Sequence, residues 1–436
     1  MSTQQENTNA PPPSRLSLRR HWGGDQPISF LMQQGVANPD CISLAAGLVD
    51  QGSLPASEVQ AALQEMLADD HLAKRALQYG TTHGNAELRG QLLGHLARLE
   101  HVDVDALGVD VNQVILTTGS QQLLSIVGEI LLDPDDIVLV AAPTYFVYLG
   151  TLNGLGARII PVATDEDGMR MDALAAKLEE IEAAGDLDRV KLIYLVSYYE
   201  NPSGISLSAQ RRAEAVAIAQ RWSKSQRIYI LEDAAYRELR YDGPELPSIW
   251  SFDTDRQTVI LAKTFSKTFA PGLRIGFGVV PAELERPICD RKGNEDFGSA
   301  NFNQHLLSQV FRMGLYDSHV ASLREMYTAK RDAMLKAAET YFGNIPGVSW
   351  VHPYGGLYVW MTLPESSDTS LDGQLFREAV QTHGVMYVPG EFSFAGERAE
   401  RPNHQMRLSY GVQDAAGIDL GMQRLAAAVK SVLAEV

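Results

Sequence analysis

The chain has 436 residues, and its 45% hydrophobic and 21% charged residues are typical of a folded protein with a large buried core. Acidic residues outnumber basic ones 54 to 37, and the formal net charge of −17 disfavours binding to nucleic acid or anionic membranes. The sequence has no long apolar run of the kind found in membrane spans or signal peptides. Only two cysteines occur, Cys41 and Cys289, and they lie far apart, which favours a cytoplasmic, reducing location.

Seven short runs rich in aliphatic and β-branched residues predict buried strands. They lie at 114–117, 137–142, 157–162, 191–196, 228–232, 259–263 and 275–280. Helical periodicity occupies most of the intervals, for example at 121–132, 171–185 and 208–225. This alternation predicts an α/β fold with a mostly parallel seven-stranded sheet flanked by helices. Only residues 264–274 separate the last two strands, so we expect the last strand to be antiparallel to the one before it.

The pattern changes near residue 310 and predicts a smaller C-terminal α+β domain. A long helix is followed by short strand-like runs at 354–364, 385–389 and 406–410, a helix near 372–383 between them, and a closing helix. We therefore divide the chain into four parts. These are a flexible polar arm at 1–24, a segment at 25–50 that packs with the small domain, a large ligand-binding domain at 51–312 and the small domain at 313–436.

Residues 264–278, which read TFSKTFAPGLRIGFG, place one lysine and one arginine among small, hydroxylic and apolar residues. Lys267 follows a predicted strand, where open α/β sheets place ligands. An ordinary lysine, with a pKa of ~10.4, is almost fully protonated at neutral pH. A reactive lysine therefore needs a lowered pKa or a Schiff base. Arg274 offers a rigid guanidinium suited to phosphate. Together they call for a cofactor with an aldehyde and a phosphate, which indicates pyridoxal 5′-phosphate.

The same stretch resembles the lysine signature of the class I/II aminotransferases, which have the type I fold of pyridoxal-phosphate enzymes. Similar enzymes include the 2-aminoadipate and kynurenine aminotransferases. The resemblance continues in order from ISLAAGL at 42–48 to MRLSYG at 406–411, which is nearly the whole chain. It implies a large cofactor-binding domain, a small C-terminal domain and a lysine Schiff base with pyridoxal 5′-phosphate.

Several hydroxyl, amide and cationic groups are candidates for the cofactor phosphate. In TTGSQQLL (117–124), Gly119 stands between a strand and a helix, where free backbone N–H groups favour an anion. The resemblance assigns the phosphate to Ser120, Gln121, Thr264, Ser266 and Arg274. It also implies that Tyr79, in LQYGTTHGNAEL, reaches the phosphate of a neighbouring subunit, and hence a homodimer.

The cofactor ring has its own candidates. Asp233, in LEDAAYRE, follows a predicted strand, and its carboxylate would hold the ring nitrogen protonated so that the ring accepts electrons. By resemblance, Tyr145 stacks on the ring, and Asn201 and Tyr236 contact its hydroxyl oxygen. We expect Lys267, Asp233 and Tyr236 to be the catalytic groups.

Substrate-binding candidates lie at both ends of the chain. Arg407 is a charged residue on a predicted strand, which is costly unless it is paired, and similar enzymes use it to bind the substrate α-carboxylate. Gly47 matches a position where the backbone approaches the substrate, and Asn201 completes the set. Gly355 and Gly356 fit a turn of the small domain.

These roles imply an aminotransferase that moves the amino group of an L-amino acid to a 2-oxo acid, with Lys267 as anchor and then general base. A β-lyase or cyclopropane-forming synthase could use Lys267, Asp233 and Arg407 as well, because the carbanion chemistry is shared. A transcriptional regulator would need a basic DNA-binding domain before residue 40, where we expect none, and a catalytically silent homologue is disfavoured because the cofactor contacts are present. Ser197 and Glu200 depart from the usual proline and glutamine, as GLVDQGSLP (47–55) departs from its usual form, so the substrate side chain stays open.

Overall fold

The computed structural model describes residues 15–23, 33–34, 38 and 40–434. Its strands, in chain order, are β1 (Ile42–Ser43), β2 (Val114–Thr117), β3 (Ile137–Ala142), β4 (Arg158–Asp165), β5 (Gly168–Met169), β6 (Val190–Val196), β7 (Tyr229–Asp233), β8 (Val259–Thr264), β9 (Gly276–Val279), β10 (Ser349–Trp350), β11 (Tyr358–Thr362), β12 (Val385–Met386), β13 (Val388–Pro389) and β14 (Gln405–Ser409).

The α-helices, in the same order, are α1 (Leu18–Trp22), α2 (Ala56–Ala68), α3 (Asp70–Leu77), α4 (Ala86–Glu100), α5 (Ser120–Leu131), α6 (Phe146–Gly154), α7 (Met171–Ala183), α8 (Ala209–Trp222), α9 (Ile249–Phe252), α10 (Ala282–Asp296), α11 (Asn301–Arg312), α12 (Leu315–Phe342), α13 (Gln374–Arg377) and α14 (Ala415–Ala434). A five-residue π-helical segment, Glu378–Thr382, continues α13. Within the described residues, no helix is both long and apolar enough to cross a bilayer.

The large sheet has eight strands in the order β2-β9-β8-β7-β6-β3-β4-β5. All seven predicted strands are present, and β5 is an additional two-residue strand that pairs antiparallel with β4. The predicted mostly parallel sheet is therefore confirmed. The predicted antiparallel last strand is also confirmed, because β9 pairs antiparallel with both β8 and β2.

Alternating side chains of the central strands fill two apolar layers, one on each face of the sheet. Along β3, Ile137 and Leu139 belong to one buried cluster, while Val138 and Val140 belong to the other. Helix α5 contributes Leu123 to the second cluster. Burial of both faces explains why these strands read as continuous apolar runs rather than as alternating ones.

The C-terminal region is a four-stranded antiparallel sheet in the order β10-β11-β14-β13, with α12 packed against α14. This is the predicted α+β domain. The predicted helix near 372–383 is divided between α13 and the π-helical segment, while β12 and β13 replace a single strand at 385–389. Periodicity cannot reveal a two-residue strand, which explains these differences.

The N-terminal region contacts both parts of the fold. Within the predicted arm, α1 packs on α6, whereas residues 1–14 and 24 lie outside the described residues. In the predicted segment 25–50, β1 pairs in parallel with β12, and the Ser409 N–H donates to the carbonyl oxygen of Leu44. Residues 25–32, 35–37 and 39 lie outside the described residues. The four domain boundaries stay a prediction.

Candidate active site

A pocket opens at the carboxyl ends of β2, β3, β6, β7 and β8, the edge where open α/β sheets bind ligands. Its lining residues are Gly119, Ser120, Gln121, Tyr145, Val196, Asn201, Asp233, Ala235, Tyr236, Thr264, Ser266, Lys267 and Arg274. The structure therefore brings together ten predicted cofactor residues that are spread over more than 150 positions of the sequence.

Lys267 lies in the turn after β8, and its side chain borders the pocket. Its Nζ donates a hydrogen bond of 2.8 Å to the carbonyl oxygen of Gly47. A second lysine, Lys263, lies four residues earlier within β8, and burial lowers its pKa even though Glu238 opposes the change. Lys263 Nζ is 2.9 Å from Glu238 Oε2, and this residue does not line the pocket. Lys267 is therefore the lysine available to a ligand there.

One end of the pocket is suited to an anion. Gly119 precedes α5 with a φ of 70°, which leaves the first backbone N–H groups of the helix facing the pocket. The hydroxyl oxygens of Thr264 and Ser266 are 3.0 Å apart, and Arg274 Nη1 is 3.4 Å from Ser266 Oγ. A Cβ on Gly119 would lie 2.9 Å from Arg274 Nη2, so glycine is needed for the guanidinium to approach. Helix dipole, hydroxyls and guanidinium together match a phosphate dianion.

The opposite side of the pocket holds a buried carboxyl without a cationic partner. Asp233 is 4% exposed, and its oxygens accept hydrogen bonds from the Tyr194 hydroxyl at 3.1 Å and the Ala235 N–H at 3.2 Å. Burial raises the pKa of Asp233 to about 6, against the lowering effect of these hydrogen bonds. Among the described residues, none forms an ion pair with it. A protonated ring nitrogen would supply the missing positive charge, so this residue fits a pyridine ring.

Arg407 projects from β14 into a buried cluster beside the pocket. Its Nη1 donates to Asn201 Oδ1 at 2.8 Å, and its Nη2 donates to the Ala45 carbonyl oxygen at 2.7 Å. Its Nε, although buried, has no hydrogen-bond partner among the residues that the structure describes. The guanidinium carbon lies 4.3 Å above the Tyr358 ring. Arg407 thus keeps N–H donors that can bind a carboxylate. Gly47 lies beside it, since a Cβ built on Gly47 would be 3.8 Å from Arg407 Nη2.

Two tyrosines connect the ring side of the pocket to Arg407. The hydroxyls of Tyr236 and Tyr358 are 3.2 Å apart. Burial raises the pKa of Tyr236. Burial also acts to raise the pKa of Tyr358, but the charges of Arg407 and Lys267 outweigh it and lower that pKa. The two hydroxyls thus form a buried pair in which either can donate, beside the positive charges of Arg407 and Lys267.

Three predicted residues lie elsewhere in the chain. Tyr79 is 87% exposed, with its ring 6.5 Å from that of Phe297, and it does not line the pocket of its own chain. Gly355 and Gly356 pack on Tyr199, which a Cβ at either position would overlap, and Gly356 has a φ of 74°. These glycines form the predicted turn, away from the ligand space.

Sequence reasoning missed Tyr194 and Tyr358. Tyr194 and Val196 lie two residues apart on β6, so they share a face, and Val196 lines the pocket. A hydroxyl within the aliphatic run KLIYLV was the signal that could have revealed Tyr194. Tyr358 is paired with Ser409 across β11 and β14, so it lies two positions along from Trp360, the partner of Arg407. Only the register of this antiparallel pair shows that proximity.

Comparison with known proteins agrees with the geometry. The family described as Aminotransferase class I and II matches residues 39–420. An aromatic-amino-acid aminotransferase of Thermococcus litoralis is 35% identical over 91% of this chain and 89% of its own length.

Two solved structures extend this comparison. The multiple substrate aminotransferase of Thermococcus profundus superimposes with a TM-score of 0.88 at 34% identity, over 97% of this chain and 98% of its own. The α-aminoadipate aminotransferase of Thermus thermophilus, solved with N-(5′-phosphopyridoxyl)-L-leucine, has a TM-score of 0.81 at 30% identity, with the same coverage of 97% and 98%. The chain belongs to the class I and II aminotransferases, and it is an enzyme that uses pyridoxal 5′-phosphate to transfer amino groups.

Proposed function

We propose that Lys267 anchors the cofactor and then acts as the general base of the transfer between an L-amino acid and a 2-oxo acid. The observation that carries this proposal is the position of Lys267 Nζ, which borders the pocket and is 2.8 Å from the Gly47 carbonyl oxygen. Pyridoxal phosphate, when bound, supplies an aldehyde that combines with amines and a ring that accepts electrons from the substrate α-carbon. The Lys267 Nζ then takes the proton that leaves the α-carbon.

The residues that would hold the cofactor divide by chemistry. Its phosphate would lie against the N-terminus of α5, receiving hydrogen bonds from Ser120, Gln121, Thr264, Ser266 and Arg274. Tyr145 would stack on its ring, and the Asp233 carboxyl would pair with the ring nitrogen. Tyr236 and Asn201 would hydrogen-bond to the ring hydroxyl oxygen.

Arg407 would bind the substrate α-carboxylate. Its hydrogen bonds to Asn201 and the Ala45 carbonyl oxygen hold the guanidinium fixed, so binding requires little reorganisation. Gly47 keeps the space beside it free of a side chain. Because all amino acids have an α-carboxylate, this contact would orient the reacting end of the substrate. It would not select among substrate side chains.

We further propose a cytoplasmic homodimer in which Tyr79 reaches the phosphate of the neighbouring subunit. Tyr79 is 87% exposed and Phe297 beside it is 79% exposed, and an aromatic pair of this kind is typical of a surface that another protein covers. Within the described residues both cysteines are free thiols, which is consistent with a reducing compartment.

The test is a visible absorbance titration of the purified protein with added pyridoxal phosphate. We expect a yellow band that disappears with amino acids and returns with a 2-oxo acid, and the amino acids that remove it at the lowest concentration define the donor class. A band that persists while ammonia and a 2-oxo acid accumulate would instead indicate a β-lyase. No band at all would contradict the role of Lys267.

A further inference from the structure

Glu200, immediately before Asn201, is a buried acid that the reaction as described does not use. It is 5% exposed, and one carboxyl oxygen, Oε2, accepts a hydrogen bond of 2.9 Å from the Ser203 hydroxyl. The other oxygen, Oε1, has no hydrogen-bond partner of regular geometry within the described ranges. No ion pair to Glu200 exists in the described part of the chain. A buried carboxylate with neither a cation nor a full set of donors is unfavourable, so the site selects the uncharged acid.

A second unpartnered atom lies next to this carboxyl. Thr144 is fully buried, and its hydroxyl oxygen has no hydrogen-bond partner of regular geometry among the described residues, although it lies close enough to Glu200 to act on that carboxyl. Burial raises the pKa of Glu200 to about 8, and only the hydroxyls of Ser203 and Thr144 act to lower it. No charged side chain contributes to that pKa. The Thr144 hydroxyl can donate to the carboxylate or accept from the neutral acid, so it can pair with either form, and burial without a cation is what favours the neutral acid.

Thr144 and Asn201, which follows Glu200 in the chain, stand beside the proposed cofactor and substrate positions. Thr144 precedes Tyr145, which lines the pocket, and its N–H donates to the Ser393 carbonyl oxygen at 2.8 Å. The backbone of Glu200 is fixed in the turn after β6, where its carbonyl oxygen accepts from the Gly204 N–H at 2.7 Å. The next residue, Asn201, receives the Nη1 bond of Arg407. Glu200 therefore lies between the ring-stacking tyrosine and the partner of the carboxylate-binding arginine.

We propose that Glu200 is a positioning residue that works as a neutral acid, joining Thr144 beside Tyr145 to the turn that carries Asn201. When Glu200 loses its proton, its O–H donor is lost and a charge is left in an apolar site. The turn must then shift or admit water, which moves Asn201 away from Arg407. This inference rests on the proposed roles of Tyr145, Asn201 and Arg407.

The test compares wild type with Glu200→Gln, in which an N–H₂ group replaces the O–H donor and cannot ionise. Its first readout is the kcat/KM of amino-acid turnover between pH 6.5 and 9.5. Above the Glu200 pKa of about 8, wild-type kcat/KM should fall relative to that of the variant by about tenfold per pH unit. Near pH 7 the two proteins should differ by less than about threefold, because the variant keeps the donor.

The second readout needs neither cofactor nor substrate, so it does not depend on the proposed function. A carboxyl whose pKa rises on folding stabilises the fold below its unfolded value, and this contribution is lost as the pH rises through the folded value. The melting temperature of the variant should therefore rise relative to wild type from pH 5 to about pH 8, the Glu200 pKa, and then level off. Glu391→Gln serves as the control, because Glu391 is also buried but accepts hydrogen bonds from Arg398 at 3.0 and 3.1 Å. The Glu391→Gln substitution should lower the melting temperature, and this variant should not gain stability over wild type as the pH rises.

Both readouts are required. Parallel kcat/KM profiles for wild type and Glu200→Gln would overturn the positioning role even if the melting curves differ. Melting temperatures that stay parallel across the pH range would overturn the claim that Glu200 is neutral in the fold. If wild type shows no transamination, the proposed function fails, and the melting curves alone then decide whether Glu200 is a neutral acid.

Discussion

Arg407 is the residue that we propose binds the substrate α-carboxylate. It is 4% exposed, and its two Nη atoms are held by Asn201 and the Ala45 carbonyl oxygen, which leaves Nε free. Such a guanidinium is ordered before the substrate arrives, so its binding energy is available to orient the α-carboxylate.

Arg407→Ala should lower kcat/KM for amino-acid donors by on the order of 10²-fold or more, which corresponds to ~3 kcal/mol of lost carboxylate binding. Arg407→Lys is the matched variant, because it keeps the positive charge but lacks the two-pronged guanidinium. We expect its kcat/KM to lie between those of wild type and Arg407→Ala. Steady-state kinetics with the best donor measures this effect. Unchanged kcat/KM in the alanine variant would remove Arg407 from the site.

Asp233 shows how catalysis and stability oppose each other at one residue. Without cofactor its pKa is raised to about 6 by burial, so the ionised form destabilises the fold. The stabilising contribution is fully present below the unfolded pKa of ~3.9 and is lost as the pH rises through about 6.

Asp233→Asn should therefore gain stability over cofactor-free wild type as the pH rises from about 4 to 6, by about 3 kcal/mol at neutral pH. The same variant should lose most of its transamination, because an amide cannot hold the ring nitrogen protonated. Urea unfolding at pH 5 and pH 7 measures the first effect. Equal differences in unfolding free energy at both pH values would contradict the burial argument.

Much of the candidate site could be predicted from charged residues that stand at unusual places in the sequence. Lys267 and Asp233 could be predicted because each charge follows a predicted strand, and Arg274 because it is a cation in a hydroxylic and apolar stretch close to Lys267. Tyr358 could not, because its hydroxyl becomes relevant only through its contact with Tyr236 of the large domain. Tyr194 carries a signal, a hydroxyl within an aliphatic run, but its contact with Asp233 depends on the pairing of β6 with β7. The sequence shows Glu200 as an unusual acid at its position. Only the structure shows that its carboxyl is buried and that no charged side chain of the described residues acts on it.

The turn from β2 into α5 is the element that creates the anion site. Gly119 has a φ of 70° and ψ of 168°, a conformation that is essentially limited to glycine, and its Cα faces Arg274. The absence of a side chain thus serves both the backbone conformation and the approach of the guanidinium.

Gly119→Ala should weaken binding of pyridoxal phosphate by roughly tenfold or more, since the strain of about 1–3 kcal/mol is relieved by displacing the turn or Arg274. Gly272→Ala is the control, because it lies in the loop before Arg274, has open space at its Cβ position and carries no positive φ. Equilibrium titration with the cofactor measures both variants. Equal affinities for the two would contradict the proposed role of the turn.

The sequence predicted long elements better than short ones. The strands of the large sheet are apolar runs buried on both faces, so composition alone locates them. The pairs β1–β12 and β13–β14 are two residues long and depend on chain segments that are distant in sequence. The π-helical segment at 378–382 likewise has no periodic signal that distinguishes it from an α-helix.

At the scale of the whole molecule, the site draws on both sheets. The β8 turn supplies Lys267, the Ala45–Gly47 backbone supplies acceptors, and β14 of the small sheet supplies Arg407. The proposed substrate binding at Arg407 and the proposed chemistry at Lys267 therefore both depend on how the two sheets pack together.

A homodimer is the prediction that belongs to this scale. Light scattering should give the mass of two chains, and Tyr79→Phe should remain dimeric while its affinity for pyridoxal phosphate falls, since only the hydroxyl is lost. Tyr354→Phe is the control, because Tyr354 is also exposed but packs on Gly243, away from the pocket. A monomer with full activity would contradict the shared site. The sequence of one chain could not settle this, because the contact lies between chains.

Borohydride reduction of the protein loaded with pyridoxal phosphate, followed by peptide mapping, tests the assignment of the reactive lysine most directly. The account predicts a single phosphopyridoxyl label on Lys267 and none on Lys263, which is buried and paired with Glu238 at 2.9 Å. Lys267→Ala should remain folded and take up no label. A label on Lys263, or on any lysine outside the pocket, would contradict the account.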